Sequence, residues 1–203
     1  MPTSLLVVDD FLENAHELRN AALRLTYPPQ EGAFPGRNSL ERIEIGGLAQ
    51  KVSDLVREPL KVISPPQSHA KCRISLAQDE GRAKVHIDRG AHWSGIFYLS
   101  RAEDCRGGTE FFRHRRTGTD HAPINDQELA ASGYASYQEA HREVVEKDSN
   151  DDSKWELIMQ VPMRFNRLIL LRPWLWHTAG PAFGDSMENG RLVYLMFFES
   201  ARP

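Results

Sequence analysis

Ala70-Lys-Cys-Arg-Ile-Ser-Leu76 is the stretch of this chain that most directly indicates its fold. Its apolar side chains Cys72, Ile74 and Leu76 alternate with polar ones, and a period of two is typical of a β-strand with one buried face. Comparable apolar or alternating runs lie at residues 82–88, 96–99, 109–112, 168–171 and 191–198. Short strands that recur with turn residues between them predict a mainly β fold, an antiparallel sandwich or jelly roll.

The first 65 residues have a mixed pattern that differs from the rest of the chain. Leu5-Leu-Val-Val8 is a short apolar run typical of a buried strand. Asp10 follows, with Glu13 three residues later, and this spacing is that of a capping box at the start of a helix. Apolar residues at helical spacing predict a second helix at 48–56. We therefore expect 1–65 to form a mixed, partly helical support region.

Residues 114–160 interrupt the run of predicted strands. They are polar, with helix-forming residues at 127–146, which predicts a partly helical insertion near the rim of the sheet. We expect one domain over residues 1–203 that contains this insertion.

Composition excludes several classes of protein. The 203 residues include 25 Lys and Arg against 28 Asp and Glu, a net charge of −3, so no basic field favours nucleic acid or an anionic membrane. Cys72 and Cys105 are too few for a disulfide scaffold. No apolar run approaches the ~18 residues that cross a bilayer, and the N-terminus lacks the basic start of a signal peptide. We expect a cytoplasmic protein.

Val85-His86-Ile87-Asp88 is the most informative segment for function. If the segment is a strand, His86 and Asp88 project from the same face, about 7 Å apart along the chain. An imidazole and a carboxylate on one face can reach one metal ion. A surface strand that happens to carry both residues is the alternative, because His-x-Asp occurs by chance in many chains.

A second candidate segment begins with the apolar run 168–171 and leads through a turn to His177. Taken alone, His177 could be a buried histidine with a satisfied hydrogen bond. Arg191 follows 14 residues later and opens an almost wholly apolar strand. A guanidinium in that position requires a carboxylate partner.

The ordered set of these residues resembles the signature of the Fe(II)/2-oxoglutarate-dependent oxygenases, in particular their prolyl-4-hydroxylase-like branch and its uncharacterised bacterial members. The set consists of His86-x-Asp88, Tyr98 in Ile96-Phe-Tyr-Leu-Ser, the Gly-Gly turn of Arg106-Gly-Gly-Thr-Glu-Phe-Phe112, His177 and Arg191. The resemblance implies a double-stranded β-helix, the jelly-roll or cupin-like form of a mainly β (α+β) fold with flanking helices.

The resemblance also implies the roles of the site residues. His86, Asp88 and His177 would hold Fe(II) on one face and leave positions open for 2-oxoglutarate and O2. Arg191 would bind the distal carboxylate of 2-oxoglutarate through two parallel donors, and Tyr98 would add a hydroxyl. The reaction implied is oxidative decarboxylation of 2-oxoglutarate coupled to C–H oxidation, with no catalytic residue beyond the metal centre.

Two features depart from the family pattern and leave alternatives open. Val193 stands where many relatives have Ser or Thr. His92 lies close to the ligand pair and could compete as a ligand, although a loop residue that shapes the pocket is the favoured interpretation. A jelly-roll module that binds a ligand without turnover remains the main alternative. A cupin-type isomerase or metal-dependent lyase ranks last, because such sites have more histidines and would leave Arg191 without a purpose.

The substrate has no signature in the sequence. Substrate choice in this superfamily lies in loops and insertions, here 27–40 and 114–160. A small molecule or a peptide fits equally well, and the apolar N-terminal helices could support a homodimer.

Overall fold

Ten strands and four α-helices form the part of the chain that the structure, a computed structural model, describes, namely residues 3–29 and 34–202. The strands are β1 (Leu5–Val8), β2 (Arg37–Asn38), β3 (Leu60–Val62), β4 (Cys72–Ser75), β5 (Trp93–Tyr98), β6 (Gly108–His114), β7 (Trp155–Pro162), β8 (Leu168–Leu171), β9 (His177–Thr178) and β10 (Arg191–Ser200). The helices are α1 (Ala15–Ala22), α2 (Leu48–Val56), α3 (Asp126–Ala131) and α4 (Tyr137–His141), with a π-helix at Arg142–Glu146 and a 3-10 turn at Asp152–Lys154.

The strands form two antiparallel sheets. The larger sheet has the order β1-β8-β5-β10-β4-β2, and β3 also pairs with β10; the smaller sheet has the order β7-β6-β9. Strand β10 is central because its long apolar run pairs with β5 on one side and β4 on the other. The prediction of a mainly β fold with flanking helices is confirmed.

Apolar side chains pack in three successive layers. The first lies between the larger sheet and helices α1 and α2, and its members include Ala22, Val52, Ile74, Phe97 and Leu192. The second lies between the two sheets, with Tyr98, Phe111, Val161, Ile169 and Val193. The third lies on the outer face of the smaller sheet beneath the helical segment 126–146, with Phe112, Val144, Trp155 and Trp176. Both faces of each sheet are thus partly covered.

The predicted strand at 82–88 does not form. Its main-chain N–H groups go to three different partners: Val85 to Ser149, His86 to His177 and Asp88 to Pro173. Only His86 makes a β-bridge, with His177. The segment therefore crosses several elements instead of following one neighbouring strand.

The helix predicted to begin at Asp10 begins later, at Ala15. Asp10 has a positive φ of 51°, which is incompatible with a helix start. The Asn166 side chain accepts a hydrogen bond from the main-chain N–H of Leu12 and donates one to its carbonyl, which keeps this segment out of the helix. Strands β2, β3, β7 and β9 were not predicted. Strand β2 lies within the predicted loop 27–40, and β7 begins within 114–160.

Part of the predicted loop 27–40, residues 30–33, lies outside the described residues. Within the described ranges, none of the helices has the length and apolar character needed to cross a membrane.

Candidate functional site

His86, Asp88 and His177 converge at one end of the space between the sheets. Their candidate ligand atoms all lie within 4.8 Å of one another. The Nε2 atom of His86 is 3.8 Å from one carboxylate oxygen of Asp88, and the Nε2 atom of His177 is 3.5 Å from the other. The spacing suits three donors around one ion, and the residues singled out in the sequence meet in space.

Main-chain hydrogen bonds hold the three residues in register. His86 and His177 exchange reciprocal N–H to carbonyl bonds of 2.9 and 3.1 Å, and the N–H of Asp88 donates to the carbonyl of Pro173 at 2.9 Å. Residues 86 and 88 therefore point to one side although the segment is not a strand. His86 and Asp88 were expected to share a face because they alternate in a strand. In the structure, main-chain hydrogen bonds to His177 and Pro173 give them this shared orientation instead.

Both imidazoles are oriented by a carbonyl two residues earlier. The Nδ1 atom of His86 lies 3.0 Å from the carbonyl oxygen of Lys84, and that of His177 lies 2.8 Å from the carbonyl oxygen of Leu175. Because a carbonyl only accepts, Nδ1 carries a proton in each ring, which leaves Nε2 as the nitrogen that can bind a metal ion. Metal-binding histidines in proteins show this same arrangement.

The electrostatics of the cluster keep the carboxylate ionised. Burial alone would raise the pKa of Asp88, but His177 and then His86 lower it to about 2. Burial lowers the pKa of His86 to about 4, and the neighbouring His177 adds to this effect. Burial would likewise lower the pKa of His177, yet Asp88 raises it above its ordinary value. The cluster therefore offers Asp88 as an anionic donor and His86 as a neutral donor. Asp88 stabilises the protonated form of the third residue, His177.

A cavity of about 630 Å³ runs from His86 to Arg191. Arg191 is only 3% exposed, and its Nε and Nη2 atoms find no hydrogen-bond partner among the residues that the structure describes. The guanidinium carbon lies 5.8 Å from the ring centre of Tyr98. A buried cation with two unused donors at the wall of a cavity is a site for an anion.

Tyr98 lies beside Arg191, but its hydroxyl is already engaged. The Oη atom accepts a hydrogen bond from the N–H of Thr109 at 2.8 Å and lies 2.7 Å from its Oγ1. Thr109 is fully buried and was not singled out in the sequence. Tyr98 and Thr109 thus form one polar unit next to the guanidinium.

Arg73 is a second arginine of the same cavity that the sequence analysis missed. Its guanidinium donates to the carbonyls of Phe34 and Pro35 and to the Oδ1 atom of Asn38. Burial and then Arg191 lower the pKa of Arg73 to about 10. The signal was present, since Arg73 lies on the polar face of the alternating run 70–76.

His92 lies outside the cluster of possible ligands. Its Nε2 atom is 2.6 Å from Glu58 and 2.8 Å from Arg172, in a separate charged network. Val193 is buried and pairs in register with Tyr98, so no hydroxyl is contributed from that position.

Comparison with solved structures shows a shared fold. HygX from Streptomyces hygroscopicus, solved with nickel, 2-oxoglutarate and hygromycin B bound, matches with a TM-score of 0.55 and 14% identity, over 98% of this chain and 84% of its own. SnoN, a non-heme alpha ketoglutarate dependent epimerase from nogalamycin biosynthesis, matches with a TM-score of 0.52 and 14% identity, over 98% of this chain and 77% of its own. At these identities the likeness concerns the fold.

Sequence comparisons give a narrower result. No curated protein matches the chain. The model of a family of unknown function, DUF6445, matches residues 2–198.

Proposed function

The chain belongs to the DUF6445 family of unknown function, and we propose that it is a non-haem Fe(II)- and 2-oxoglutarate-dependent oxygenase. Its two antiparallel sheets, in our proposal, are those of a double-stranded β-helix. The order of the motifs along the chain supports the prolyl-4-hydroxylase-like branch. The fold shared with HygX and SnoN is consistent with this proposal.

His86, Asp88 and His177 would hold the iron. Two neutral imidazole nitrogens and one carboxylate are the donor set of non-haem Fe(II) oxygenases, and they suit Fe(II) better than Ca²⁺ or Mg²⁺, which prefer oxygen donors. The carbonyls of Lys84 and Leu175 accept hydrogen bonds from the two Nδ1 atoms, which leaves each Nε2 as the metal-binding nitrogen, and metal binding would displace the proton that Asp88 favours on His177. With O2 and 2-oxoglutarate, the bound iron would supply the oxidation of a substrate C–H bond.

Arg191 is the single observation that carries the proposal of a keto-acid cosubstrate. A metal site alone gives no reason for a guanidinium, 3% exposed, to leave two donors unpaired. The distal carboxylate of 2-oxoglutarate would accept both hydrogen bonds and neutralise the charge. His86 of the donor set and the unpaired guanidinium line the same cavity, and a dicarboxylate with a chelating keto acid would need to reach both.

The surrounding side chains shape the cavity. Phe34 stacks on His86 with ring centres 4.0 Å apart, and Arg73 holds the Phe34 carbonyl. Phe111 lies 6.3 Å from His177, on the side of the apolar layer between the sheets. These contacts fix the imidazole planes and limit access of water to the reacting atoms.

The type of oxidation, hydroxylation, is also part of our proposal. SnoN is an epimerase, so the fold serves more than one outcome; we favour hydroxylation because Asp88 supplies the third ligand. The cavity of about 630 Å³ is larger than 2-oxoglutarate alone needs. A small molecule or an exposed peptide side chain would occupy the remainder.

An anaerobic titration with Fe(II) and then 2-oxoglutarate tests the proposal. We expect the weak visible charge-transfer band of a chelated keto acid in the wild type and its loss in His177→Ala. The matched control is His16→Ala, because His16 is exposed and remote from the cluster. Succinate formation under O2 should follow the same order. If no band forms, or if the band survives in His177→Ala, the oxygenase is ruled out and the ligand-binding module becomes the better description.

A further inference from the structure

A second cavity, of about 640 Å³, lies between the outer face of the smaller sheet and the helical segment 126–146. It shares no lining residue with the cavity of His86 and Arg191. Small-molecule sites in proteins measure roughly 300–1,000 Å³. The second cavity has the size of such a site.

The walls of the second cavity are mainly apolar. Ile87 and Trp176 form the wall on the side of the smaller sheet. Ala140, Val144 and Val145 form the opposite wall, on the helical segment. The charged lining residues lie at its edge: His121 pairs with Glu128 at 3.3 Å, His141 pairs with Glu146 outside the cavity at 3.4 Å, and Arg89 is exposed to solvent. Because the inner walls carry no charge, they favour a neutral ligand.

Tyr134 supplies a polar group at the wall of the cavity, near the Arg116 guanidinium. Its hydroxyl oxygen is buried and has no hydrogen-bond partner within residues 3–29 and 34–202. Tyr134 lines the cavity, and the Arg116 guanidinium over its ring, 5.3 Å from the centre, holds it in place. A buried hydroxyl without a partner costs free energy that a ligand acceptor would recover.

Helices α3 and α4 form one wall of the second cavity but bury too few side chains to fill it. Helices α3 and α4 are each capped by a side chain, Asn125 and Ser136, and each buries a single residue, Leu129 and Ala140. A π-helix at Arg142–Glu146 continues α4 along the cavity. Single-turn π-helices are frequent at functional sites.

We propose that the second cavity binds a neutral, mainly apolar small molecule that carries one hydrogen-bond acceptor for Tyr134. Such a ligand would lie directly behind the candidate metal site, because Ile87 stands between His86 and Asp88 and Trp176 precedes His177. This inference does not rest on the oxygenase proposal, since none of the lining residues is a candidate ligand for iron or 2-oxoglutarate.

Calorimetric titration of the full chain with 2-naphthol, indole and cyclohexanol tests the proposal without knowledge of the natural ligand. All three are neutral and largely apolar, and an open apolar cavity of this size takes up such molecules. We expect saturable binding at one site for at least one of them. Ala140→Phe should weaken it roughly tenfold or more by filling the space, and Tyr134→Phe should weaken 2-naphthol roughly two- to tenfold.

Two controls separate this cavity from its neighbour and from the surface. Ala102→Phe adds the same ring at an exposed position, and Arg191→Met alters the other cavity; neither should change binding. If Ala140→Phe does not fold, Val145→Trp fills the same space from a less buried position. The proposal is overturned if no probe binds saturably up to its solubility limit, or if only Arg191→Met abolishes binding.

Discussion

Replacing Arg191 with methionine should stabilise the protein while removing its affinity for 2-oxoglutarate. Methionine keeps the aliphatic stem and removes a buried charge whose Nε and Nη2 atoms are unpaired. Each buried donor without a partner costs about 1–3 kcal/mol, and part of the gain is lost with the packing of the guanidinium. We expect a net gain of about 1–3 kcal/mol, which for a chain of this length raises Tm by about 2–10 °C.

The affinity for 2-oxoglutarate should change in the opposite direction. Removing the guanidinium from a buried charge pair costs about 2–5 kcal/mol, or roughly 30-fold to several thousand-fold in Kd. Calorimetric titration of 2-oxoglutarate into protein loaded with Zn²⁺ measures this without turnover. Differential scanning calorimetry without 2-oxoglutarate measures the stability of the same samples.

Arg73→Met is the matched variant, because Arg73 is a second arginine of the same cavity whose guanidinium is already satisfied. It donates to Phe34, Pro35 and Asn38, so its loss leaves acceptors unpaired and should destabilise the fold by about 2–4 kcal/mol. Opposite signs of the two Tm shifts are the expected result. If Arg191→Met lowers Tm as Arg73→Met does and leaves 2-oxoglutarate binding unchanged, Arg191 is structural and the cosubstrate assignment is wrong.

Three predictions concern stability away from the cavity. Arg172→Met should cost about 2–4 kcal/mol in urea unfolding, because it leaves Glu58 without its buried cation; an unchanged midpoint would contradict this. Burial lowers the pKa of His69, so its contribution to stability should be complete above about pH 6.5 and decline below it. His69→Gln should reduce that decline, and an identical pH profile would refute the assignment. Arg57→Gly should stabilise by up to about 1 kcal/mol, since Arg57 ends helix α2 with φ of 60°; a lower Tm would show that its side chain matters more than its backbone.

The sequence predicted the strands well wherever one side of the strand faces an apolar layer along its whole length. The runs at 5–8, 70–76, 168–171 and 191–198 all form strands, because burial of alternate or successive apolar residues imposes the extended form. Strand β7 was missed for the opposite reason. Its residues Leu157, Ile158 and Met159 are apolar but partly exposed, and a bulge in its pairing with β6 breaks the alternation.

The candidate metal cluster was found through a segment whose local structure was predicted wrongly. His86 and Asp88 face one side because of main-chain bonds to His177 and Pro173, which lie about 90 residues away and leave no local pattern. The same limit applies at the first helix. Asn166 binds the main chain of Leu12 across most of the sequence, and no local capping rule could include that contact.

The polar face of the run 70–76 carries more functional information than its apolar face. In a single sheet over one core, polar residues at alternate positions face water, so the alternation in 70–76 gave no reason to single out Arg73. In a fold of two facing sheets with helices behind the larger one, the apolar face packs on the helices and the polar face points between the sheets. Arg73, Ser75 and Arg191 therefore line the cavity, and a buried cation there is stable only with an anion or a set of carbonyls. Arg73 has the carbonyls, and Arg191 requires the anion.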